Sequence, residues 1–179
     1  MNVRLDRIVT RGGDGGMTSL GDGARVRKDD PVIEAMGCVD ELNTIIGLVR
    51  LAGAFLDELA RVQNILFDIG AVLCMPERNI DADAMAHHLP WLENEIERLR
   101  RDQEPLRSFV LPGGTSGSCW AHMARTAARR AERRLVTLDQ PRLAGGLIFM
   151  NRLSDYFFVL ARHFNNDGKS DVLWQPSKG

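Results

Sequence analysis

The chain has little lysine, little cysteine and no long apolar run, and each shortage narrows what it can be. Its three cysteines, Cys38, Cys74 and Cys119, are odd in number and lack a Cys-x-x-Cys spacing. That argues against a disulfide framework or a zinc site and for a reducing, cytoplasmic setting. No run of eighteen or more apolar residues occurs, and the N-terminus carries no apolar signal core, so a soluble, untargeted chain without a membrane partner is expected. The net charge of -1 leaves no global basic field to attract nucleic acid. Lysine occurs only at Lys28, Lys169 and Lys178, so nearly all the basic charge is arginine. Guanidinium suits bidentate phosphate recognition, but with no net positive charge any anion site must come from local clustering.

What is present is ordinary globular composition: 179 residues, 44% hydrophobic and 26% charged, enough for one domain with a real core. Residues 1–30 are rich in Gly and Asp, without a sustained apolar period, and end in Lys28-Asp-Asp-Pro31. Asp followed by Pro is a helix start, because Asp caps free N–H groups and Pro suits the first helical position. Apolar residues then recur at helical spacing to about residue 56. Further helices are expected over about 56–73, 82–101, 115–136 and 142–165, separated by Cys74-Met-Pro76, the loop Phe109-Val-Leu-Pro-Gly-Gly114 and a short turn. Asn165-Asn-Asp-Gly168 stops the last one. With no convincing alternating strand pattern, the expectation is an all-α fold, a left-handed up-down five-helix bundle behind a glycine-rich N-terminal arm. The single domain of residues 1–179 divides into an arm (1–30), a bundle (31–166) and a C-terminal tail (167–179).

At about 100° per residue, His122, Arg125, Arg129, Glu132 and Arg133 share one arc of the fourth helix. Arg130 and Arg134 point elsewhere, and alanines supply the packing surface. Three guanidiniums on one face repel one another unless anions neutralise them. By itself the face reads equally as a solvated, salt-bridged surface or as a polyphosphate clamp in which Glu132 orients the arginines. The N-terminal arm, Thr10-Arg-Gly-Gly-Asp-Gly-Gly16 with Thr18-Ser-Leu-Gly-Asp-Gly23, brings backbone N–H groups and hydroxyls that suit phosphate. It lacks the Gly-Lys-Ser/Thr of a Walker loop. Asp40 among apolar neighbours and Asn151 on the fifth helix are each open to a structural or a ligand-binding reading. A di-iron carboxylate site is excluded, since no Glu has His three residues later.

Taken in order, seven segments resemble the PduO-type ATP:cob(I)alamin adenosyltransferases. They are the arm, Lys28-Asp-Asp-Pro31, Val39-Asp-Glu-Leu42, Val62-Gln-Asn-Ile-Leu-Phe-Asp-Ile-Gly-Ala71, Phe109-Val-Leu-Pro-Gly-Gly114, Arg125-Thr-Ala-Ala-Arg-Arg-Ala-Glu-Arg133 and Asn151-Arg-Leu-Ser-Asp155. The resemblance implies a homotrimer with active sites between subunits, ATP with Mg²⁺ and cobalamin as its small molecules, and transfer of the 5′-deoxyadenosyl group from ATP to the cobalt of cob(I)alamin with release of triphosphate. It implies no metal ligands on the chain itself. A cob(II)alamin reductase and an adenosylcobalamin-dependent acceptor enzyme are the implied partners. By the same resemblance Thr10, Arg11, Gly13, Asp14, Gly16, Thr18, Ser19, Lys28, Arg133 and Asn151 hold the nucleotide. Arg129 pairs with Asp40 across the subunit interface, Arg125 and Glu132 complete the charged face, and Phe109 blocks the lower face of cobalt. The chain departs from the family pattern at Gly12, where Thr is usual, and at Gly15, where Lys is frequent. The alternative reading is a non-catalytic helical trimer that carries or senses nucleotide or cobalamin.

Overall fold

The computed structural model describes Val9 and residues 11–75 and 85–177. Five helices form the body: α1 (Pro31–Arg50), α2 (Leu56–Cys74), α3 (Leu89–Arg100), α4 (Ser116–Leu138) and α5 (Ala144–Phe164). α4 packs between α1 and α5, α2 lies against α1, and α3 lies against α5. The reason for that order is in the side chains. α4 buries small residues, Ala121, Ala124, Ala127, Ala128 and Ala131, which let its neighbours approach closely. α5 supplies the bulk, with Phe149, Tyr156 and Phe157 fully enclosed, so large and small residues interdigitate. By length and composition Pro141–Phe164 would suffice to cross a membrane, but most of that stretch is buried inside the bundle.

The caps follow the sequence. Asp30 accepts from the Val32 N–H at 2.9 Å, with Pro31 at the first helical position. Thr115 accepts from the Ser118 N–H at 3.2 Å and opens α4. Two boundaries differ from the periodicity. α1 ends at Arg50 rather than near residue 56, because Gly53 (φ 78°) and Phe55 (φ 57°) turn the chain into a left-handed conformation that no helix continues. Of the third expected helix, residues 82–84 lie outside the described ones; Ala86–His88 is a 3₁₀ turn, and the α-helix starts at Leu89 with Pro90 in its first turn.

Two short antiparallel ribbons stand where no strand was expected. In the arm, β1 (Met17–Ser19) pairs with β2 (Arg25–Arg27), and Gly21 at their turn donates to the Cys74 carbonyl at 2.8 Å, docking the arm on the end of α2. At the other end of the molecule, β3 (Val110–Leu111) pairs with β4 (Val172–Leu173) of the tail. Elements of two or three residues are too short to show an alternating period.

Candidate active site

α4 sorts its arginines between neighbours. Arg130 pairs with Glu41 and Arg134 pairs with Glu34 at 3.2 Å, both on α1. On the opposite flank Glu132 turns to α5, where its Oε1 accepts from Asn151 Nδ2 at 3.0 Å. Asn151 Oδ1 in turn accepts from Arg152 at 2.9 Å. Between these flanks lie Arg125, half-buried, and Arg129 and Arg133, exposed. Within the described residues none of the three has an acidic partner. Burial, and then the neighbouring Arg129, push the Arg125 guanidinium below its ordinary value. The two causes act together, so the charge on this face is held against both desolvation and like-charge repulsion. His122, one turn earlier, is buried against Phe158, with ring centroids 6.1 Å apart. Burial and then Arg125 lower its pKa, so the imidazole is neutral at neutral pH.

The rest of the sequence-predicted set gathers elsewhere. Lys28 reaches back over the arm, where a Cβ on Gly13 would come within 3.0 Å of its Nζ. The loop beneath it is closed by turns, with Asp14 N–H donating to Arg11 O at 3.3 Å and Gly16 N–H to Gly13 O at 3.1 Å. Arg25 braces the same loop through Gly12 O at 2.8 Å and Ser19 Oγ at 3.2 Å. Thr18, Ser19 and Asp40 line one groove of about 520 Å³ between α1 and α2, together with Met36, Phe67 and Gly70. Thr10 lies outside the described residues. Asp40 and Glu41 are consecutive, about 100° apart around α1. Glu41 therefore meets α4, while Asp40 faces the α1–α2 groove. Within one chain Asp40 and Arg129 are on different sides of the bundle, and the expected pair is not formed there.

Phe109 precedes β3 and is 77% exposed. Its ring meets Trp174 edge-on at 6.0 Å, and its carbonyl accepts from the Trp174 N–H at 2.8 Å. An open cleft of about 730 Å³ runs along α5 beside α3 and includes Asp155 and Phe158, one and two turns beyond Asn151 on the same helix face. Among the described residues no group of three or more His, Cys, Asp or Glu side chains is placed to hold a metal.

The profile of the family described as cobalamin adenosyltransferase matches residues 8–164. The chain belongs to the cobalamin adenosyltransferase family. It is 43% identical to the cobalamin adenosyltransferase of Cupriavidus metallidurans over 99% of both chains. It is 38% identical to the corrinoid adenosyltransferase of Mycobacterium tuberculosis over 98% of this chain and 96% of that one. Among solved structures, a variant PduO-type ATP:corrinoid adenosyltransferase from Lactobacillus reuteri, complexed with cobalamin and ATP, superposes with a TM-score of 0.84. The two are 34% identical, over 96% of this chain and 98% of that chain. Three features of this adenosyltransferase lay beyond sequence reasoning. His122 was seen only as a member of the arc, and the Trp174 contact and an ion pair between Arg162 and Asp171 at 2.8 Å were not seen at all. The short apolar run Val172-Leu-Trp174 in an otherwise polar tail was the available signal for Trp174.

Proposed function

We propose that this chain transfers the 5′-deoxyadenosyl group of ATP to the cobalt of cob(I)alamin. The observation that carries the reading is the row Arg125, Arg129 and Arg133, without an acidic partner among the described residues, beside an Asn151 already oriented by Glu132. In the reaction the Co(I) electron pair attacks C5′ of ATP. The cobalt–carbon bond forms as the C5′–O bond breaks, and the electron pair leaves with triphosphate while cobalt becomes formally Co(III). No proton moves at the reacting atoms, so no general base is needed, and none is present in the arginine row. The residues instead have to stabilise charge that grows on the leaving triphosphate, which fixed guanidiniums do best when already in place and partly desolvated. Arg133 and Asn151 hold ATP, Arg125 adds to the field, and Lys28 with the glycine-rich loop closes over the phosphates with their Mg²⁺. Phe109 takes the lower face of cobalt, which excludes an axial ligand and eases reduction to Co(I).

The two halves of the site lie on different sides of one chain, and that supports a homotrimer in which Asp40 and the arm of one copy meet Arg129 and its row on the next. The exposed Phe67 and the apolar α1–α2 groove beside Asp40 suit such a contact. The product passes to an adenosylcobalamin-dependent enzyme, and a reductase supplies Co(I). The three cysteines are free thiols, in keeping with a cytoplasmic setting. The test is an anaerobic assay with ATP and chemically reduced cobalamin on wild type and Arg133→Ala. Adenosylcobalamin should form with wild type and fall at least about tenfold with the variant. No product with wild type would leave only the non-catalytic carrier, and full activity in the variant would remove Arg133 from the site.

A further inference from the structure

The tail after α5 is built to a defined geometry. Arg162 and Asp171 form an ion pair at 2.8 Å whose side chains are only 9% and 2% exposed. A buried pair of this kind fixes a register rather than merely adding attraction. Arg162 also donates to the Glu104 carbonyl at 3.1 Å. Gly168, at φ 85°, turns the chain where any Cβ would strike the Arg162 guanidinium. From Asp171 the chain enters β4, which pairs Val172 with Leu111 and Leu173 with Val110. Each device sets where residue 174 arrives. Side chains alternate along a strand, so a slip of one residue would carry Trp174 to the opposite face.

What arrives there is a clamp on Phe109. The Trp174 N–H donates to the Phe109 carbonyl at 2.8 Å, and the Trp174 carbonyl accepts from Ser108 Oγ at 3.1 Å. The indole meets the phenyl ring at 6.0 Å and 69°, within the range of favourable edge contacts. An exposed phenyl ring without a fixed neighbour would sample several rotamers. We propose that Trp174 is a positioning residue for adenosyl transfer: it holds the Phe109 ring in the orientation that excludes the lower axial ligand of cobalt, and the Arg162–Asp171 pair sets its register. This rests on the proposed role of Phe109.

The test uses the full-length protein with ATP and cob(II)alamin, read by electron paramagnetic resonance. A lower nitrogen ligand on Co(II) leaves a superhyperfine splitting, and its loss reports an excluded ligand. Wild type should lose the splitting. Trp174→Ala should retain a sizeable fraction of it and, in turnover that starts from Co(II) with a chemical reductant supplying the electron, lower kcat about three- to tenfold, the worth of one aromatic edge contact, with the KM for ATP unchanged. Trp174→Phe should restore both readouts. With cobinamide, whose lower position holds only a weakly bound water in place of the tethered base, the defect of Trp174→Ala should be smaller. Wild-type spectra and kcat in Trp174→Ala would overturn the proposal. So would failure of Trp174→Phe to restore them, or an equal defect with cobinamide. If wild type itself keeps the splitting, it is the role of Phe109 that fails.

Discussion

Replacing Asn165 with Ala tests how the fold ties the Phe109 loop to the bundle. Asn165 sits at the end of α5, 1% exposed. Its Oδ1 accepts from the Thr115 N–H at 3.0 Å and its Nδ2 donates to the Gly113 carbonyl at 3.0 Å, so one side chain staples the Pro-Gly-Gly loop to the start of α4. Alanine removes two well-formed bonds worth about 1 kcal/mol each, and strands a donor and an acceptor that each cost about 1–3 kcal/mol where water is excluded. Thr115 is exposed and Gly113 half-buried, so water can reach both groups and the lower end applies, about 2–3 kcal/mol in total. For a chain of this size about 1 kcal/mol moves the melting temperature by roughly 2–4 °C. The expected fall is therefore about 5–10 °C, measured by circular dichroism or calorimetry at one protomer concentration, because an oligomer's stability depends on it. Gly114 gives a second handle. It stands at φ 94°, and a Cβ there would collide with the Asn165 amide. Gly114→Ala alone should cost both backbone strain and that collision, whereas in an Asn165→Ala background only the strain remains, so the two losses should sum to more than the double variant shows. A fall of less than about 2 °C for Asn165→Ala, or strict additivity of the pair, would refute the staple.

Three further outcomes follow from the site. A Cβ at Gly15 would meet nothing, so Gly15→Lys should fold normally and lower the KM for ATP by adding a phosphate contact, while Lys28→Ala should raise it; unchanged steady-state kinetics in both would make the arm lysines surface residues. His122 has its pKa lowered in the folded chain by burial and by Arg125, with Asp171 opposing. The folded state therefore binds its proton less readily than the unfolded state, so stability is unaffected above the ordinary value near 6.5 and falls as pH drops below it. Urea melts of wild type and His122→Leu at pH 7.5 and 5.5 should show a smaller acid loss in the variant, and equal losses would contradict the neutral assignment. Finally, Asp40→Arg and Arg129→Asp should each reduce activity and trimer content, and combining them should restore part of both by size-exclusion chromatography and assay; a double variant no better than either single one would rule out the intersubunit pair.

How far the sequence could be read depended on whether a feature was local. The start of α1 was legible because Asp30 and Pro31 act on adjacent backbone, and the outward turn of Arg129 and Arg133 was legible because angular position within a helix needs no knowledge of its neighbours. What each flank of α4 meets was not. Nothing in the spacing says that Glu41 will claim Arg130 while Asp40, one residue earlier, faces another groove. The end of α1 was overestimated because Leu51 and Leu56 keep an apolar rhythm through a turn set by backbone conformation at Gly53 and Phe55. The ribbon holding Phe109 was invisible for a different reason. Its two strands are some sixty residues apart in the chain, and the second follows directly on a buried ion pair between Arg162 of α5 and Asp171.

The pairing pattern on α4 also bears on why the arginine row is left bare. Arg130 and Arg134 lie on the same helix and each has a glutamate within reach on α1, so the fold has acidic residues to spend on this helix. Glu132, the acid nearest the row, is directed to Asn151 instead. Leaving Arg125 half-buried beside Arg129 without a counter-charge among the described residues costs stability, and a chain selected for stability alone would have neutralised that face. The cost is recovered when a polyanion binds, because the same desolvation and repulsion that disfavour the empty row strengthen its grip on phosphate. Neutralising the row with an acid, for example Thr126→Glu beside Arg129 and Arg130, would then raise thermal stability and weaken ATP binding together. A variant that gained stability without losing affinity would separate the two effects and break the link between the bare row and the nucleotide.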